Sequence, residues 1–292
     1  MVGRWRLFFQ ERFALSAHLS MIFVFALAHV AVVGWETLRL LPIMFAGAFL
    51  YLFKLRLYDE IKDYEFDVEH NPERPLARGL VTHREVRAAT LICIVLELIL
   101  FSYAGWGPFT AIVFAIAYSL LMNSEFFIKE LIRPHLTFYG MIHTVSASLL
   151  SLALLATARG VLPWQLSSAD LVFALICWGV FNVFEIARKT FAPAEEKERV
   201  DSYSKLWGPF VAVALVLSQA IPITVLFALF SSLAGRASWI GQGILTLMVL
   251  LSGVVYAVRP SSGSARVYRG VGQAYIVLVM VVAVVVSAMA RF

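Results

Sequence analysis

Long apolar runs alternate with short polar breaks along the whole chain. Runs with few or no charges fall near residues 13–34, 39–58, 84–104, 107–123, 134–157, 167–188, 206–231, 238–258 and 270–290. Most reach, or come close to, the roughly 20 residues that a helix needs to cross a hydrocarbon core. Barrel strands would be about 10 residues long with strict alternation, and no such alternation is visible. The pattern predicts an all-α polytopic membrane bundle of nine transmembrane helices around a central cavity, in a single domain over residues 1–292. The N-terminal Met-Val-Gly-Arg-Trp-Arg could open a signal peptide, but Arg12 interrupts it, no small-residue cleavage site is evident and the following run is long enough to span, so that run reads as the first helix.

Composition sharpens this picture. Hydrophobic residues make up 61% of the chain and charged ones only 15%, too apolar a balance for a soluble domain. The net charge of +5 is explained by membrane orientation and not by nucleic acid. With the N-terminus cytoplasmic, one side receives Arg4, Arg6, Arg12, the segment from Lys54 to Arg87, Lys129, Arg133, the segment from Arg188 to Lys205, Arg259, Arg266 and Arg269. The other side receives Arg39, Arg159, Arg236 and Arg291. This asymmetry follows the positive-inside rule and supports an odd number of spans. The expectation is an integral protein of the cell (inner) membrane whose charged loops, 59–83 and 189–205, face the cytoplasm. Those loops follow the second and sixth spans, which suggests a repeated unit of about four helices. Cys93 and Cys177 lie inside apolar runs, where cysteine behaves as a small packing residue.

The candidate chemistry begins at Tyr58. Asp59, Glu60, Asp63, Glu65 and Asp67 place five carboxylates in nine residues directly after an apolar run. If the helix continues, Asp59, Asp63 and Asp67 share one face at i, i+4 and i+8. Like charges stacked in this way call for a cation. The segment continues as Asn71-Pro72-Glu73-Arg74-Pro75-Leu76-Ala77-Arg78-Gly79, whose prolines and glycine fold the chain back and bring Arg74 and Arg78 near the acids. Carboxylates beside arginines suit a diphosphate. The acids would hold Mg²⁺, which binds through carboxylates and substrate phosphates, and the arginines would take phosphate oxygens.

A second charged segment runs from Asn182 to Ser204. Glu185 falls within a membrane helix, where an ionised side chain is costly and usually marks a site. Arg188 and Lys189 stand at i+3 and i+4 from it, and Glu195 and Glu196 follow.

The pattern Asp59-Glu60-x-x-Asp63-x-x-x-Asp67, followed by Asn-Pro-x-Arg-Pro-Leu-x-x-Gly, resembles the first signature of the UbiA superfamily of intramembrane prenyltransferases. The second segment is similar to that family's second acidic motif, with Glu185 at the leading aspartate, Glu195 and Glu196 at a later acidic pair and Ser204 near a hydroxyl position. Tyr118-Ser119 also resembles a family feature. The chain departs from the pattern at Asp59 and Glu60, which stand for asparagine and aspartate, at Ala192, which replaces an aspartate, and at Arg188, which replaces a tyrosine. Asn123 and Ser124 stand where many members carry a basic pair.

The resemblance implies Mg²⁺-dependent transfer of an isoprenyl group from a prenyl diphosphate to an acceptor, with two Mg²⁺ ions bridging the diphosphate to the two acidic segments. It implies metal ligation by Asp59, Glu60, Asp63, Asp67, Glu185, Glu195 and Glu196, and catalytic roles for Asp59, Asp63, Glu185 and Lys189. Arg74, Arg78, Arg188 and Lys129 would hold the diphosphate, and Tyr118, Ser119 and Ser204 the substrate. A water-poor chamber suits an allylic carbocation, and the rings of Phe53, Tyr58, Tyr118, Phe181 and Phe184 offer faces to it. Two related chemistries fit the same residues, terpene cyclisation and phosphoribosyl-type transfer to or from a phosphorylated lipid. A transporter is the alternative outside enzymology, although these charges cluster at one membrane face and not at the midplane. His18, His29 and His143 are scattered singly along the spans.

Overall fold

The computed structural model describes residues 2–198, 200–230 and 237–290. Arg236 and Arg291 of the orientation argument lie outside them. The described chain is helical throughout, with helices α1 Val2–Arg12, α2 Leu15–Val33, α3 Leu41–Lys62, α4 Tyr64–His70, α5 His83–Ala104, α6 Trp106–Asn123, α7 Lys129–Ile132, α8 Leu136–Arg159, α9 Ser168–Arg188, α10 Tyr203–Leu229, α11 Ser238–Val258 and α12 Ser262–Met289. Among the described residues nine of these, α2, α3, α5, α6 and α8–α12, are long and apolar enough to cross a membrane. This is the expected bundle, with helix ends within a few residues of the hydropathy boundaries except at α12, which starts at Ser262. The segment before the first span forms a helix of its own, α1, set off by a break at Phe13 and Ala14.

Local sequence explains the ends. Thr82 and Glu85 bond reciprocally at the start of α5, Ser167 and Asp170 do so at α9, and Ser261 and Ser264 at α12. Gly105, at φ 129°, turns the chain tightly between α5 and α6. Lipid offers backbone groups no partner, so such satisfied ends keep the polar connections at the bundle's two faces.

The spans close into a ring: α2 packs on α3, α3 on α5, α5 on α6, α6 on α8, α8 on α9, α9 on α10, α10 on α11, α11 on α12, and α12 returns to α2. α8 and α9 are the most enclosed, and α9 also packs on α12. That contact is close. A Cβ on Gly272 would lie 2.2 Å from the Cβ of Ala187, so only glycine allows this approach beside the charged end of α9. Polar pairs join neighbouring spans as well. Lys54 on α3 meets Glu97 on α5 at 2.6 Å, and Asn182 Nδ2 on α9 donates to Gln219 Oε1 on α10 at 3.0 Å.

Candidate functional site

α3 runs four residues past the apolar stretch, because its hydrogen bonding is indifferent to the appearance of charge at Asp59. It ends at Lys62, and Asp63 leaves helical geometry at φ −88°, ψ 1° before α4 begins. That break decides which acids share a face. Asp59 and Asp63 line a cavity of about 640 Å³ at this end of the bundle. Asp67 does not follow them, contrary to the continuous-helix expectation: the break at Asp63 turns α4, and Asp67 is buried against its own loop. There it accepts hydrogen bonds from Asn71 Nδ2 at 3.0 Å and from Arg74 at 2.7 Å. Glu60 does not line the cavity; it is buried against Arg12, with Arg56 at 3.6 Å.

The wall carrying Asp59 also carries cations. Arg56 lies 3.7 Å and Lys62 3.5 Å from the Asp59 carboxylate. The Lys62 ammonium sits 5.5 Å from the centre of the Tyr139 ring. Burial lifts the Asp63 carboxyl above its ordinary range, and the negative charges of Asp59 and Asp67 add to the lift, while Lys62 and Arg74 oppose it. A crowded acid pair of this kind has open demand for positive charge.

The opposite wall is the end of α9. Glu185, Arg188 and Lys189 all line the cavity. Arg188 Nε donates to Glu185 Oε2 at 2.6 Å, and Lys189 Nζ lies 2.8 Å from Glu185 Oε1, so both carboxylate oxygens are engaged. From the loop that follows, Asp201 reaches the cavity. Glu195 and Glu196 do not line it. Glu195 is held by both terminal nitrogens of Arg269 on α12, at 2.8 and 2.9 Å, and by the Ala192 amide. These hydrogen bonds, Arg269 first, pull its carboxyl down to about 2. Glu196 accepts from the hydroxyls of Ser202 and Ser204, each at 2.7 Å. Ser204 also receives the Phe191 amide, so it serves the fold of the loop.

Arg74 lines the cavity as expected, whereas Arg78, Lys129, Tyr118 and Ser119 do not. Arg78 pairs with Glu11 at 2.8 Å, and Lys129 is exposed beside Glu130. Tyr118 donates to the Ile142 carbonyl at 2.6 Å and Ser119 to the Ile116 carbonyl at 2.8 Å. Conversely, Arg12, Arg56, Lys62, Tyr139, His143 and Thr144 line the cavity without having been singled out for it. For Lys62 a signal existed, three residues after Asp59. Tyr139 depends on tertiary structure: it donates to Glu125 at 2.9 Å, and Glu125 also receives Arg133. Burial alone would raise Glu125, but the bonds from Arg133 and Tyr139 outweigh it and hold the carboxyl low. Glu125, Phe126 and Phe127 all sit at left-handed φ, between 48° and 59°, a turn that this network fastens.

Two carboxylates suit Mg²⁺, which completes its shell with water and phosphate oxygen, so Asp59 and Asp63 fit a metal ion. Among the described residues no three carboxylate, histidine or cysteine side chains converge as a ready metal cage, and the carboxylates of Glu185, Glu195 and Glu196 are engaged by Arg188 and Lys189, by Arg269 and by serine hydroxyls, respectively.

The model of the UbiA prenyltransferase family matches residues 20–279. The chain belongs to the UbiA prenyltransferase family. Its fold is similar to solved UbiA-type structures. A digeranylgeranylglyceryl phosphate synthase superposes with a TM-score of 0.67 at 14% identity, over 98% of this chain and 99% of that one. A UbiA homolog from Aeropyrum pernix K1 gives 0.59 at 15% identity, over 93% and 98%. No curated protein sequence matches. The family's integral membrane architecture and the bundle described above agree.

Proposed function

We propose that this UbiA-family protein transfers an isoprenyl group from a prenyl diphosphate to an acceptor within the membrane. The observation that carries the reading is that Asp59 and Asp63 at the end of α3 and Arg188 and Lys189 at the end of α9 line one cavity. Leu52, Leu55 and Phe181 line the same cavity, giving it an apolar part suited to a hydrocarbon chain.

In the reaction, the bond between the allylic carbon and the diphosphate oxygen breaks and its electron pair leaves with the diphosphate. The acceptor's nucleophilic atom then bonds to the carbon and loses its proton. Mg²⁺ bound to the diphosphate would act as a Lewis acid on the departing oxygens. Asp59 and Asp63 would hold that ion. Arg74, also on the cavity wall, is oriented by Asp67 at 2.7 Å and would meet a phosphate oxygen. The apolar wall would exclude the water that otherwise captures the cation. By the positive-inside argument, this end of the bundle faces the cytoplasm of the cell (inner) membrane.

A second reading is transfer to or from a phosphorylated lipid. It is favoured by the charge of the cavity wall, where Arg12, Arg56, Lys62, Arg74, Arg188 and Lys189 outnumber Asp59, Asp63, Glu185 and Asp201. Mass spectrometry of products formed from prenyl diphosphates and whole-cell lipid extract separates the two. A prenylated neutral acceptor supports the first, a product retaining a phosphate monoester or phosphodiester supports the second, and unchanged prenyl diphosphate of every chain length contradicts both.

A further inference from the structure

The two helices that face each other across the cavity present the same spacing with different charge. At the end of α3 the i and i+4 positions are Asp59 and, one residue past the helix, Asp63, both acids on the cavity wall. At the end of α9 they are Glu185 and, one residue past the helix, Lys189, an acid and a base 2.8 Å apart. Arg188 takes the remaining oxygen of Glu185 at 2.6 Å. Arg56 and Lys62 stand 3.7 and 3.5 Å from Asp59, whereas the two cations on Glu185 are in direct contact, at 2.6 and 2.8 Å, so Glu185 keeps less attraction for a further cation than Asp59 does. An ammonium at the i+4 position repels a metal ion where a second carboxylate would attract one.

An ordinary intrahelical ion pair at a helix C-terminus explains the contact between these side chains. It does not explain why both cations turn toward the cavity, opposite an acid pair whose charge is crowded. Placed there, they form a preorganised positive surface at the position where a leaving diphosphate would develop charge.

Resting on the prenyltransferase reading, we infer that Arg188 and Lys189 replace a second metal ion, so that this protein binds its prenyl diphosphate with one divalent cation, on Asp59 and Asp63. Glu185 is then a positioning residue. It holds the guanidinium and the ammonium in place and contributes no bond to metal.

The test counts ions. The full chain in detergent is titrated with Mn²⁺ in the presence of geranyl, farnesyl or geranylgeranyl S-thiolodiphosphate, whichever binds tightest, and free Mn²⁺ is read by electron paramagnetic resonance. The expected result is one tightly held Mn²⁺ per chain. Glu185→Gln and Asp201→Asn each leave the count at one, and Asp63→Asn lowers it. The Arg188→Ala/Lys189→Ala double variant, with Glu185 released, gains a second ion. Two ions on the wild-type protein, a lower count in Glu185→Gln, or a double variant that binds the analogue yet stays at one would overturn the inference while leaving the prenyltransferase reading intact. Failure of every analogue to bind would remove both.

Discussion

Lys54 Nζ lies 2.6 Å from Glu97 Oε2, and both side chains are fully buried between α3 and α5. Lys54 also stands 4.3 Å from the centre of the Tyr51 ring, while the second oxygen of Glu97 has no partner. A buried pair of this kind offsets a large desolvation cost and is vulnerable to the loss of either member. Glu97→Gln or Lys54→Met alone is expected to destabilise the protein by about 3–5 kcal/mol, whereas Lys54→Met/Glu97→Leu together return close to wild type. Denaturant titration in micelles measures this; single variants within about 1 kcal/mol of wild type would show that the pair is not holding the two spans.

The demand for positive charge at Asp63 predicts that metal stabilises the fold. Mg²⁺ at neutral pH should raise the melting temperature of the wild-type protein by binding the native state. Asp63→Asn should lose that response while folding normally in its absence. Melting curves with and without Mg²⁺ decide the matter, and an equal rise in both proteins would place the ion elsewhere.

Glu195 straps the 189–205 loop to α12 through Arg269. Because its folded-state value lies near 2, below the ordinary carboxylate range, its contribution is present above that range and fades as pH falls toward about 2. The pair is near the surface, so the effect is expected to stay under about 1 kcal/mol. Glu195→Gln should speed hydrogen exchange over residues 190–198 at neutral pH, and the difference from wild type should shrink on acidification. Unchanged exchange would mean that the strap is incidental.

Close approach of α12 and α9 gives a steric prediction. Gly272→Ala drives a methyl group into Ala187 and is expected to cost about 1–3 kcal/mol. At Gly270, nothing lies within 4 Å of an added Cβ, and Gly270→Ala should be neutral or slightly stabilising. Equal melting temperatures for the two variants would contradict the packing described.

The spans were legible because crossing a bilayer imposes a length and an apolar composition that show directly in sequence. The site was legible only in part. Asp59 and Glu185 stand out as charges at the ends of apolar runs, and both reach the cavity. Periodicity placed Asp67 with Asp59 and Asp63, yet a single non-helical residue at Asp63 turned it toward Arg74. Glu195 and Glu196 look as acidic as Glu185, and what distinguishes them is the company of Arg269, Ser202 and Ser204, which comes from tertiary packing and from a loop conformation that spacing does not encode. Tyr139 lines the cavity from α8 while bonded to Glu125, which sits in a turn of three left-handed residues, none of them glycine, so no turn signal announced the contact.

Release of diphosphate tests the central claim most directly. Radiolabelled prenyl diphosphates of several chain lengths are incubated with the purified protein in detergent, with Mg²⁺ and lipid extract as acceptor. Wild-type protein should release diphosphate, and Asp63→Ala should reduce the rate by about 100-fold or more, the scale on which lost electrostatic stabilisation of a leaving group is felt. Absence of release at every chain length, together with substrate flux when the protein is placed in liposomes, would contradict the account.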